Sequence, residues 1–132
     1  VVVGGGPTGV EFAGELSDFL RTDVKRIAPE AAALFSVTIV EGKEILGAFD
    51  EKLRSYAQST LNRAGVAIVQ GTVSAVGPRS VRLSDGSELE HGLLVWATGV
   101  GPTEFISSLP FQHTAPGRLA VDQQLRVLDE GG

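Results

Sequence analysis

The chain opens on Val1-Val2-Val3-Gly4-Gly5-Gly6-Pro7-Thr8-Gly9-Val10-Glu11, a β-branched run that passes through a glycine-rich turn straight into a helix-forming stretch. Gly4, Gly6 and Gly9 fill the three fixed positions of GxGxxG, and the small Ala13 follows one helical turn further on. In a strand–turn–helix unit the first glycine permits the tight turn, the second lets the backbone approach a pyrophosphate, and the third lets helix and strand pack closely. Free N–H groups at the start of the helix, with the positive end of its dipole, then hold the anion. Many glycine-rich turns match this pattern alone. The strand before it and the helix after it make it a dinucleotide signal, which assigns Gly4, Gly5, Gly6, Pro7, Thr8 and Gly9 to cofactor binding.

Beyond the turn, Phe12, Ala13, Leu16, Phe19 and Leu20 recur at helical spacing, which predicts a helix of about four turns with these residues as its apolar face. Residues 22–36 read as a connection longer than the usual two to six residues, with an inserted loop. Val37-Thr38-Ile39-Val40 reads as the second parallel strand and ends at Glu41. Asp50 suits the cap of a helix carrying Leu53, Tyr56, Ala57, Leu61 and Ala64 on one face, and Gly65 suits its end. Val66-Ala67-Ile68-Val69 makes a third strand. From Thr72 to Glu90 the period falls to two, interrupted by the turn signal Ser84-Asp85-Gly86-Ser87. Leu93-Leu94-Val95-Trp96-Ala97 reads as a buried strand leading into Thr98-Gly99. This order predicts an α/β fold: a Rossmann-like nucleotide-binding domain with a parallel sheet and an antiparallel β-meander crossover.

Composition narrows the function classes. The chain has 132 residues, 42% of them hydrophobic, enough for one modest core and one domain over residues 1–132. A net charge of −5 with no long basic run argues against nucleic acid or an anionic membrane surface as the main partner. The small cluster of Arg21, Lys25 and Arg26 reads as a solvated helix end. No apolar stretch reaches the roughly 18 residues of a membrane span. The absence of cysteine excludes disulfides, thiolate metal sites and cysteine nucleophiles within these residues. With no methionine, a start inside a strand and a last segment that lacks a closing element, the chain is expected to be a piece of a longer protein.

Glu41 is the second chemical feature. An acidic residue at the carboxyl end of the second strand of this fold accepts hydrogen bonds from the adenosine ribose hydroxyls. It stands further from the turn than the usual spacing of about 20 residues, an excess that an insertion within residues 22–36 absorbs. A carboxylate there also repels a 2′-phosphate, by about 1 kcal/mol per unit charge at 4 Å in water and about 4 kcal/mol at an effective dielectric near 20. NADH is therefore expected over NADPH. The alternative is that Glu41 is simply an exposed strand end.

Gly4-Gly5-Gly6-Pro7-Thr8-Gly9-Val10-Glu11-Phe12-Ala13-Gly14-Glu15-Leu16 resembles the NADH-binding signature of the type II, non-proton-pumping NADH:quinone oxidoreductases. Val37-Thr38-Ile39-Val40-Glu41, Ile45-Leu46, Phe49-Asp50 and Leu94-Val95-Trp96-Ala97-Thr98-Gly99-Val100-Gly101-Pro102 resemble the same family, so the likeness covers nearly the whole chain. The longer link at residues 22–36 is most similar to mitochondrial members.

The resemblance implies a FAD/NAD(P)-binding fold in which NADH delivers hydride to FAD and the flavin passes electrons to ubiquinone. This chain would be the NADH-binding part. The FAD-binding parts would lie outside it, with residues 118–128 a strand leading back toward them, and the fragment alone would be inactive. The resemblance further implies a mitochondrial protein, peripheral on the inner membrane through parts absent from this chain, with a homodimer as one arrangement.

Within the family, the glutamate matching Glu11 lies where nicotinamide and flavin meet. Glu11 is thus the catalytic candidate, against the plainer reading that it complements the helix dipole by about 0.3–1 kcal/mol. Thr98-Gly99, at the end of a central strand, is a further expected cofactor contact. Trp96 is expected in the core, and His91 and His113 as surface or loop residues, because neither has a carboxylate partner or metal spacing. No metal site is expected. Two other parents remain open: a ferredoxin- or disulfide-reductase type of two-dinucleotide flavoprotein, and a nucleotide-binding module without turnover.

Overall fold

The computed structural model describes residues 1–129, which form two compact units, Val1–Thr98 and the segment from Gly99 onward. In the first unit, strand β1 (Val2–Val3) leads through the glycine turn into helix α1 (Pro7–Phe19). Strand β2 (Val37–Glu41), helix α4 (Glu51–Arg63), strand β3 (Val66–Gln70) and strand β7 (Val95–Trp96) complete the α/β layer. The four strands form one parallel sheet in the order β3-β2-β1-β7, with Val2 opposite Ile39 and Val95, and Val37–Glu41 opposite Val66–Gln70. Strands β4 (Val73–Val76), β5 (Ser80–Leu83) and β6 (Glu88–Glu90) make a separate antiparallel sheet, the expected meander.

The link at residues 22–36 departs from its expectation of an inserted loop. α1 continues through a π-helical turn (Leu20–Val24) into α2 (Lys25–Ile27), and a further helical turn α3 (Pro29–Ala32) follows. Nothing in the sequence of residues 20–27 breaks a helix, and the break comes at Ala28, φ −143° and ψ 72°, the residue before Pro29. Arg21, Lys25 and Arg26 are exposed on this helical extension.

The apolar stripe of α1 is also narrower than the periodicity implies. Its buried residues are Gly9, Ala13 and Ser17, one residue per turn on the face against the sheet, while Leu16 and Leu20 pack at the edge of the core. Phe12 and Phe19 are exposed, Phe19 at 52%. Close approach of helix to sheet selects small residues, so bulk at helical spacing marks the flanks of the contact. The Ser17 hydroxyl donates to the carbonyl of Ala64 at 2.7 Å, tying α1 to the last turn of α4. Ser17→Ala in the full-length protein is expected to lower the unfolding free energy by about 1–2 kcal/mol. An unshifted urea midpoint would show that this bond contributes nothing.

The core cluster is built from Val2, Ala13, Val37, Ile39, Ile45, Leu61 and Val66. On α4 the Asp50 carboxylate accepts the N–H of Leu53 at 3.1 Å, and Gly65, φ +83°, follows its C-terminus, as expected of both. Leu61 is buried, but Leu53 and Tyr56 are exposed, Tyr56 at 67%. In the meander, Arg82 Nη2 and Nε donate to Glu88 at 2.7 and 2.9 Å across the strands. The Ser84–Ser87 turn lies where expected: Ser87 donates to Asp85 through its hydroxyl at 2.6 Å and its N–H at 2.9 Å, which holds the Asp85 carboxyl below the usual range.

Trp96 is not in the core. β7 is an edge strand of the parallel sheet, and Trp96 is 55% exposed; Leu93 lies outside the strand and is exposed too.

In the second unit, α5 (Glu104–Ser108) is capped by the Thr103 hydroxyl. Residues 118–128 do not form one strand. They fold back on themselves, with Val121 paired antiparallel to Val127 and Leu125 at φ +63° in the turn between them. Asp122 holds this turn by accepting the N–H of Gln124 and of Arg126 and the Arg126 guanidinium, bonds that set its carboxyl below the usual range.

Candidate dinucleotide site

The site lies at the carboxyl ends of β1 and β2, where the chain leaves the sheet through the glycine turn. Gly4 takes φ +112°, and a Cβ there would stand 2.4 Å from the carbonyl oxygen of Ala97, so only glycine passes between β1 and β7. A Cβ at Gly9 would lie 2.0 Å from the Gly4 carbonyl oxygen, which makes this residue the contact of α1 with the turn. At Gly6 the situation reverses. It has φ −72° and ψ 178°, and nothing lies within 4 Å of where a Cβ would be. These are the three roles expected of the motif: turn, open approach and close packing.

α1 begins with Gly6 as its N-cap and Pro7 in its first turn, without a side-chain cap. The first helical bond is Val10 N–H to the Gly6 carbonyl, 3.0 Å. The N–H groups of Gly6, Thr8 and Gly9 have no partner among the described residues. Pro7 contributes no N–H, and Pro7 and Thr8 are exposed at the helix start. Unengaged donors, a helix dipole and open space over Gly6 fit an anion such as a pyrophosphate.

Glu41 is drawn to this turn from β2. Its Oε2 accepts the N–H of Gly5 at 2.7 Å and its Oε1 the N–H of Lys43 at 3.0 Å. A carboxylate has roughly four acceptor positions, so about two remain open. Glu41 is therefore not simply an exposed strand end. The loop after it packs back: Ile45 is buried, Leu46 adopts φ +53°, and Leu46 N–H donates to the Gly5 carbonyl at 2.7 Å. Arg54 of α4 pairs with Glu44 on the same loop. Glu41, Lys43, Glu44, Ile45, Arg54 and Gln70 are among the residues lining an open groove of about 470 Å³ between α4 and the carboxyl ends of β2 and β3.

Glu11 is exposed, and its side chain makes no hydrogen bond among the described residues. The first turn of α1 contains no acidic residue, so Glu11 lies past the reach of the dipole effect, which fades within one turn. Thr98 follows β7 and is exposed, with its N–H group beside Gly4. Gly99, φ +90°, begins the second unit. His91 is a half-buried loop residue whose Nε2 is buried without a partner among the described residues, and His113 Nε2 lies 2.9 Å from the Ile106 carbonyl. No cluster of three or more metal-ligating side chains occurs among the described residues.

Sequence reasoning missed the contribution of Gly5 to this geometry and the inward packing of Ile45-Leu46. An apolar pair inside the otherwise polar run Gly42-Lys43-Glu44 and Gly47 was the available signal.

The family model described as pyridine nucleotide-disulphide oxidoreductase matches residues 1–131. The chain is 49% identical over 127 residues to the mitochondrial internal alternative NAD(P)H-ubiquinone oxidoreductase A1 of Arabidopsis thaliana, covering 96% of this chain and 25% of that protein. It is 50% identical over 127 residues to the protein of the same description from Solanum tuberosum, covering 96% of this chain and 26% of that protein. The chain thus spans about a quarter of the length of these relatives. Among solved structures it is similar to NDH2 from Plasmodium falciparum in complex with NADH, with a TM-score of 0.78 and 28% identity over 98% of this chain and 29% of that one.

Proposed function

Because the chain belongs to the pyridine nucleotide-disulphide oxidoreductase family, we propose that residues 1–132 are the NADH-binding domain of a non-proton-pumping NADH:ubiquinone oxidoreductase. The observation that carries this reading is the union of two features in one place: a glycine turn with three unengaged N–H groups, and a carboxylate held 2.7 Å from it. The likeness to the alternative NAD(P)H-ubiquinone oxidoreductases favours this parent over other two-dinucleotide flavoproteins.

In this reading, Gly6, Thr8 and Gly9 bind the pyrophosphate through backbone N–H groups, aided by the N-terminus of α1. Glu41 accepts the adenosine ribose hydroxyls. Glu11 and the Thr98-Gly99 backbone serve the nicotinamide end, with Glu11 orienting it for transfer. FAD, when bound by segments outside these residues, supplies the hydride acceptor and the route to ubiquinone. The parent is a mitochondrial protein, peripheral on the inner membrane and dimeric, as the family likeness of the chain favours. This domain takes NADH as its partner, and no nucleic acid.

The test is steady-state oxidation of NADH and NADPH by the full-length protein with a short-chain soluble quinone. Wild type is expected to favour NADH, and Glu41→Gln to narrow the ratio of kcat/KM values about tenfold, through loss of the charge facing the 2′-phosphate. A glutamine must turn its amide N–H₂ toward one of the two backbone donors Glu41 now accepts, so NADH efficiency falls as NADPH efficiency rises. An unchanged ratio removes Glu41 from the ribose; failure of the wild-type flavoprotein to oxidise NADH removes the reading.

A further inference from the structure

Both polar groups of the Gly5 backbone are engaged by β2 and the loop that follows it. Its N–H donates to Glu41 Oε2 at 2.7 Å, and its carbonyl accepts Leu46 N–H at 2.7 Å. One residue earlier, Gly4 N–H donates to the Val40 carbonyl at 2.9 Å. Packing is as close as the bonding: a Cβ at Gly5 would lie 2.9 Å from Cβ and Cγ of Glu41 and from Cγ2 of Ile45. The Glu41 stem therefore lies against the turn itself, and Lys43 N–H braces the carboxylate from its other oxygen at 3.0 Å.

We infer that Glu41 is a positioning residue of the pyrophosphate site as well as a ribose acceptor. Its carboxylate holds the Gly5 peptide in the orientation that leaves the N–H groups of Gly6, Thr8 and Gly9 free. Gly5 then binds no phosphate through its own N–H, which is committed to Glu41. A side chain serving the ribose alone would need neither a bond to the turn nor a glycine opposite its stem. Hydrogen bonds to an ionised acceptor are the stronger kind, so a single pair suffices to set a peptide with no side chain of its own. Ribose recognition and phosphate-site geometry become one unit, and a dinucleotide stripped of both adenosine ribose hydroxyls still depends on Glu41.

This rests on the dinucleotide reading above, and the experiment separates the two. Equilibrium binding of NADH and of its adenosine-2′,3′-dideoxy analogue, which has neither ribose hydroxyl for Glu41 to accept, is measured by fluorescence titration with the full-length wild type, Glu41→Ala and Glu41→Gln. Glu41→Ala is expected to bind the dideoxy analogue about tenfold more weakly than wild type does, the equivalent of one charge-assisted bond. Glu41→Gln, of equal volume, is expected to lose part of that factor, and it carries the comparison if the alanine variant does not fold. KM for NADH rises in both while kcat at saturation is kept, because the nicotinamide end is unaltered.

Variants that bind the dideoxy analogue as tightly as wild type does would confine Glu41 to the ribose and overturn the positioning role with the dinucleotide site intact. A fall in kcat that tracks a lowered unfolding temperature would overturn it in favour of a general structural lesion. Absence of NADH binding by wild type would remove both readings.

Discussion

Gly6→Val in the full-length protein is expected to abolish measurable NADH binding, a loss of at least about 100-fold or roughly 2.7 kcal/mol, while the fold survives. The backbone at Gly6 has φ −72° and ψ 178°, a conformation open to any residue, and no atom lies within 4 Å of a Cβ placed there. The protein therefore tolerates the side chain, and the space it takes is the space above the three unengaged N–H groups. Losing glycine at the N-cap costs up to about 1 kcal/mol of helix stability, a small shift beside the binding loss. Titration with NADH and a thermal unfolding curve on the same sample check both halves. Undiminished affinity would place the nucleotide somewhere other than this turn.

Gly9→Ala is expected to do the reverse: to damage the fold first. Its Cβ would lie 2.0 Å from the Gly4 carbonyl oxygen and 3.5 Å from Cβ of Ala97, and the first of these is backbone at the centre of the turn. α1 must lift off the sheet to admit it. Overpacking against backbone of this kind costs about 3 kcal/mol or more. The denaturation midpoint of the full-length protein is expected to fall accordingly, with an unaltered slope. Gly14 lies on the same helix with nothing within 4 Å of its missing Cβ, so the same substitution there gains about 0.5–1 kcal/mol from helix propensity. Equal effects at the two positions would mean that α1 does not press on the backbone of the turn at Gly9.

These two substitutions differ in outcome although the motif presents both residues simply as glycine. The spacing Gly4, Gly6, Gly9 was enough to place the tight turn, the open backbone and the helix contact in order, because each follows from the distance along a strand–turn–helix path. Val37–Val40 running into Glu41, the Asp50 cap, the Ser84–Ser87 turn and the parallel-then-meander order were legible for the same local reason: each is encoded in neighbours a few residues apart. Trp96 was not. Its neighbours read as a buried strand, and only the position of β7 at the sheet edge leaves the indole half exposed. The buried face of α1 was misjudged similarly, because hydrophobicity marks where bulk is, while the helix-to-sheet distance decides where bulk can fit.

What the sequence by itself determined is the kind of protein this is: a βαβ unit with a glycine turn between strand and helix, an acid at the next strand end, and a family pattern along nearly the whole chain. These are properties of local order and residue type. What only the tertiary structure decided is how the acid and the turn are joined. Gly5 and Glu41 are far apart in sequence, and parallel pairing of β1 with β2 brings them within 2.7 Å. Register across a parallel sheet is set by the packing of both faces, a long-range condition that no run of neighbouring residues encodes. That pairing makes the middle glycine of the turn a bearing surface for Glu41, and joins the strand-end carboxylate to the glycine turn.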